Sequence, residues 1–102
     1  MLQLKAQVRL AEMREEGESE ATLAAAVAKN ENDLEARFKL ANVLIASNRP
    51  AEGMDQLLEI VRRDRKFRDD IGRKTLLDVF NLLGGQHELV AEYRRRLAAL
   101  LN

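Results

Sequence analysis

A chain of 102 residues in which 17 Lys and Arg balance 17 Asp and Glu carries no net charge, so no global field draws it to nucleic acid or to an anionic membrane. It contains no Cys, which excludes disulfides, thiolate metal sites and thiol redox chemistry within it. Hydrophobic residues at 46% and charged residues at 33%, with aromatics at only 4% and Ala, Leu, Glu and Arg abundant, predict a single all-α domain with one modest core. No apolar run approaches the ~20 residues that a membrane span requires. The opening MLQLKAQVRL interleaves charge with apolar residues, unlike a secretory signal, so the cytoplasm is the expected compartment.

Apolar residues recur at helical spacing along the whole chain. A first helix is predicted from Leu2 to Glu15, with Leu4, Val8 and Ala11 on one face and further apolar residues on a second. An exposed second face would mark an interface, so self-association through this helix is expected. Gly17 stops it, and Ser19 is the N-cap of a second helix that runs to Lys29 with Leu23, Ala26 and Val27 inward. Asp33 caps a third helix carrying Phe38, Ala41, Leu44 and Ile45. Pro50 opens a fourth, where Met54, Leu57, Leu58 and Val61 form an i, i+3, i+4, i+7 stripe. After a charged connection from Arg65 to Asp70, a fifth helix carries Leu76, Val79, Phe80 and Leu83 and stops at Gly84-Gly85. A sixth carries Leu89, Tyr93, Leu97 and Leu101. Short links force successive helices to pack antiparallel, in three hairpins.

The spacing of small and large residues repeats. The tetratricopeptide pattern has a period of about 34 residues and pairs a Leu-small step in its first helix with a small residue in its second. Leu40-Ala41 takes the Leu-small step, and Gly53 takes the small place before Leu57. Arg37 stands where the pattern has Trp, and Arg65 where it has Pro. One period back, Leu44, Gly53, Leu57 and Val61 map to Leu10, Ser19, Leu23 and Val27. Going forward takes a period of about 36, and Ala41 and Gly53 then map to the large Leu77 and Leu89. The reading is a tetratricopeptide-like helical repeat in one domain over 1–102: a degenerate repeat over 1–32, the best-matching repeat over 33–66, and a terminal capping pair over 67–102. A generic six-helix bundle is the alternative.

From Leu34 to Leu101 the chain resembles the C-terminal region of the YbbN-type thioredoxin-like co-chaperones of bacteria. The resemblance rests on LLEIVRRDRKFRDDIGRKTLLDVFNLLGG and VAEYRRRLAALL, and on Arg73-Lys74, Leu83-Gly84 and Tyr93-Arg94-Arg95 within them. It implies a parent protein that holds unfolded clients and hands them to a GroEL-type chaperonin. The family's thioredoxin domain and its Cys motif are missing, so no thioredoxin activity carries over, and the chain reads as a C-terminal fragment or a short relative.

Residue types that carry chemistry are sparse. His87, the single His, reads as a surface or capping residue with no nucleophile or ligand cluster about it. Gly84-Gly85 lacks the rest of a phosphate loop. No catalytic, metal or cofactor site is expected. The run from Arg62 to Lys74 reads as a solvated face with internal ion pairs, or as an electropositive patch for an acidic partner. In a tetratricopeptide repeat the first helix of each pair lines the concave surface, which sets Lys39, Asn42 and Ala46 toward the groove. Phe38 occupies the place of the basic residue of a carboxylate clamp, so no such clamp is expected. At the C-terminus, Arg94 and Arg95 with Leu97, Leu100 and Leu101 either cap the solenoid or dock on a partner. The expected function is a non-catalytic protein-interaction module, and the alternative is a structural homo-oligomerisation domain.

Overall fold

The computed structural model describes residues 19–102, which form α1 (Glu20–Lys29), α2 (Leu34–Ala46), α3 (Pro50–Arg63), α4 (Ile71–Leu83) and α5 (Glu88–Leu101). These are the second to sixth predicted helices. The first predicted helix, and with it the self-association expected through that helix, lies outside the described residues.

The starts and stops follow local chemistry. Ser19 Oγ accepts from the Thr22 amide at 3.2 Å, and Asp33 Oδ1 accepts from the Ala36 amide at 3.0 Å. Each satisfies an amide that the helix itself leaves unpaired. Pro50 is the first residue of α3, where its missing N–H costs nothing. Gly84 ends α4 at φ 93°, a conformation that glycine adopts without strain. His87 Nδ1 accepts from the Leu89 amide at 3.1 Å, which makes it the cap of α5. Asp70 precedes α4 without capping it, since its carboxylate bonds Arg73 Nε at 2.6 Å instead.

The helices α1 to α4 pack on their sequence neighbours, with α3 at the centre, in contact with α2, α4 and α5. The main core runs from Ala41 of α2 through α3 to α5, and Met54, Leu57, Ile60 and Leu76 are sealed within it. A smaller cluster joins Leu23 and Val27 of α1 to Ala36, Leu40 and Leu44 of α2. Gly53 lets α3 lie directly on the Ala41 carbonyl, as the small-residue spacing predicts. A second close approach escaped the sequence reading: Gly72 seats the first turn of α4 against Ile60 and Val61. In the last hairpin large residues stand at the equivalent places. Leu77 is 40% exposed, Leu89 is half-buried, and α5 packs more on α3 than on α4.

Candidate functional site

With Leu40, Ala41 and Leu44 turned into the cores, the helical period places Lys39, Asn42 and Ala46 on the exposed side of α2. Phe38 beside them is half-buried, and the Arg68 guanidinium lies 5.3 Å from its ring centroid. The corresponding side of α4 exposes Lys74, Leu77, Asp78, Asn81 and Leu82. Leu82, at 74% exposure, and Leu77 are the exposed large hydrophobic residues among those described. Both helices pack on α3, so these two faces are set by the same scaffold.

Arg37 explains how the repeat tolerates a charge in the place of its Trp. The residue is buried at 6% exposure. Its Nε donates to the Glu31 carbonyl at 2.8 Å and its Nη1 to Gln56 Oε1 at 2.7 Å. Burial, aided by the nearby Arg63 charge, pushes its pKa down, and the two hydrogen bonds supply what water would have given. Arg37 thus ties the α1–α2 turn to α3. Its role is architectural, and it is not open to a partner.

The residues proposed at the C-terminus divide by face. Arg94 is exposed, with its guanidinium 5.7 Å from the Phe80 ring centroid, and Arg95 is exposed beside Glu92, Arg96 and Ala99. Leu97 is buried at 6% in the main core, and Leu100 and Leu101 are half-buried against it. Leu97 is therefore a core residue, since the period that turns Arg94 and Arg95 outward turns it inward. The arginines of α5 and the Lys39–Asn42 face of α2 lie on separate helices, each packed on α3.

Five of the seven cations of the basic run are ion-paired. Arg62 and Arg63 both bond Glu59, at 2.8 and 3.0 Å, while Arg68 bonds Glu35 at 2.9 Å and Lys74 bonds Asp69 at 3.0 Å. The Arg62 hydrogen bond, with help from Arg63 and against the opposing effect of burial, holds the Glu59 carboxyl down at about 2. Arg96 lies 3.5 Å from Asp55, which also takes a 2.6 Å hydrogen bond from the Tyr93 hydroxyl. These bonds run between helices, along one helix, or from the connection between α3 and α4, and they neutralise much of a solvated surface. Among the described residues no three His, Cys, Asp or Glu side chains converge to hold a metal ion, and no helix is long and apolar enough to cross a membrane. What the surface offers is exposed polar, cationic and apolar contact on rigid helices, which suits recognition of another chain.

A model of the tetratricopeptide repeat family matches residues 13–102. No curated protein and no solved structure matches the chain. The match spans the described helices, and the observed fold is the expected one: helices only among the described residues, in antiparallel succession, with a close small-residue contact in the central hairpin. The chain belongs to the tetratricopeptide repeat family.

Proposed function

We propose that this chain is a non-catalytic protein-interaction module that holds unfolded clients and delivers them to a GroEL-type chaperonin, as the resemblance to the YbbN-type co-chaperones implies. The family assignment supports the general reading, because stacked helical hairpins offer extended faces for other chains. The observation that carries it is the pair of exposed faces on α2 and α4, with Lys39 and Asn42 on one and Leu77 and Leu82 on the other. We assign the first contact with a client to these faces, and the contact with the chaperonin to Arg94, Arg95 and the last turn of α5 at Leu100 and Leu101. The repeat boundaries at 32 and 66 belong to the same reading. It requires no cofactor.

The test is binding of the purified chain to a purified chaperonin and to a chemically unfolded client, at low salt and at ~0.5 M salt, where surface charge is screened. Binding of both, with chaperonin binding lost in Arg94→Glu/Arg95→Glu and client binding weakened in Asn42→Ala and Leu82→Ser, supports the assignment. Binding of neither overturns the co-chaperone reading. A second reading, a structural homo-oligomerisation domain, is favoured by the exposure of Leu82. Light scattering separates the two: a multimer that Leu82→Glu converts to monomer, with no client bound, establishes oligomerisation.

A further inference from the structure

The connection between α3 and α4 holds three of the four non-glycine residues with positive φ among those described. Arg68, Asp69 and Asp70 follow one another at φ 46°, 57° and 65°. An L-residue in this region sets its Cβ against the following carbonyl oxygen, and even Asn and Asp enter it as single residues. Three in a row, the first an Arg, persist only where the surroundings hold them.

Backbone hydrogen bonds run through the turn, from the Asp69 amide to the Lys66 carbonyl and from the Ile71 amide to the Phe67 carbonyl, and two further kinds of contact surround it. Core packing acts on either side of it, through half-buried Phe67 before it and through Gly72 on Ile60 and Val61 after it. The side chains of the run act differently. Asp70 bonds Arg73 and Asp69 bonds Lys74, so both reach forward into the first turn of α4 and tie the run to no other element. Arg68 reaches across to α2. Its Nη1 lies 2.9 Å from Glu35 Oε1, and its guanidinium lies 5.3 Å from the Phe38 ring centroid.

We infer that Arg68 is a latch, whose grip on Glu35 and Phe38 holds the left-handed turn closed and whose release lets the turn and the first turn of α4 relax together. The pair is exposed enough for solvent ions to reach it, with the Arg68 and Glu35 side chains at 51% and 48% exposure. Its hold is therefore adjustable by salt or by a competing acidic group. Asp70 gives no side-chain cap to α4, so the first turn of that helix is held by the Gly72 contact and by the Arg73 and Lys74 pairs and not by a cap. The latch also fixes the N-terminal ends of α2 and α4 to one another, where the two helices otherwise pack chiefly on α3. It is a property of the free chain and stands or falls without the client-binding reading.

The experiment is backbone amide exchange followed by mass spectrometry on the intact chain, comparing wild type with Arg68→Ala and Arg68→Gly. Both variants remove the latch, and only the glycine also removes the left-handed strain at that residue. The expected result is exchange faster by on the order of tenfold over residues 68–74 in Arg68→Ala, with α3 and α5 unchanged, and near wild-type exchange in Arg68→Gly. Wild type at about 1 M salt should move toward the alanine variant. Equal protection in all three proteins overturns the latch. So does equal loss in both variants, because the strain would then play no part, and so does faster exchange spread uniformly over the molecule.

Discussion

A Cβ built on Gly53 would lie 2.6 Å from Ile45 Cγ1 and 2.9 Å from the Ala41 carbonyl oxygen. Cγ1 is the branch atom of a stiff β-branched side chain and the carbonyl belongs to the α2 backbone, so Gly53→Ala must push α3 off α2. Alanine's better helix propensity returns up to about 1 kcal/mol. Overpacking of this kind costs about 1–3 kcal/mol, so a net loss of about 1–2 kcal/mol is expected in urea denaturation. At Gly72 the nearest atoms are methyl groups of Ile60 and Val61 at 3.1 Å, which can yield, so Gly72→Ala should fall within about 0.5 kcal/mol of wild type. Similar losses at the two sites would show that the carbonyl contact is not what spaces the helices. Tyr93 adds a pH dependence. Burial first, then its hydrogen bond to Asp55, pushes its pKa up to about 12. The folded value is raised, so the contribution of the neutral phenol is intact below about pH 10 and is lost as pH rises toward 12. Tyr93→Phe should cost about 1 kcal/mol at neutral pH and flatten this alkaline loss. Glu59 works in the opposite sense. Its lowered pKa of about 2 gives stability that is present above its ordinary value and lost as pH falls toward 2. Glu59→Gln should flatten the acid limb of the same measurement, by a modest amount because a third of the side chain meets solvent.

The helices themselves were legible because their ends obey local rules. Ser19 and Asp33 cap, Pro50 opens and Gly84 closes, each where its chemistry predicts. Asp33→Ala should cost about 1 kcal/mol through loss of the Ala36 amide bond, visible as a lower melting temperature. The Met54, Leu57 and Val61 stripe was legible for the same reason, since a period of 3.6 fixes one face whatever lies opposite. What stayed hidden depends on partners distant in sequence. Arg37 stands at the Trp place of the pattern, but nothing in the sequence brings Gln56 and the Glu31 carbonyl to it. Gly72 lies in no repeated small-residue place, so only the arrival of Ile60 and Val61 reveals it. The left-handed run includes two Asp, which tolerate such a conformation singly, but it opens on Arg68, which does not advertise it. Among the site residues, the exposure of Lys39, Asn42, Arg94 and Arg95 follows from the helical period. The burial of Leu97 follows from it equally, once the core side of α5 is known.

At the scale of the molecule, α3 is the keel. Its core residues are at most 2% exposed, and every described helix but α1 packs on it. The α1 helix holds to the rest through the smaller cluster on α2 and through Arg49, which bonds Glu20 at 2.7 Å across the gap to α3. Truncation after Arg96 should therefore unfold the last hairpin, because it removes Leu97 from the core together with the flanking Leu100 and Leu101. The expected result is a loss of several kcal/mol in chemical denaturation. A truncated chain of unchanged stability would mean that the terminal turn is held free for a partner. Seating α5 also has an optical consequence. Tyr93 is the chain's single tyrosine and there is no tryptophan, so near-ultraviolet emission is dominated by one ring, whose hydroxyl rests on the Asp55 carboxylate. A carboxylate that takes the phenol proton in the excited state dims that emission, and lifting α5 from α3 brightens it. The molecule thus carries a label-free gauge of whether its last helix is in place.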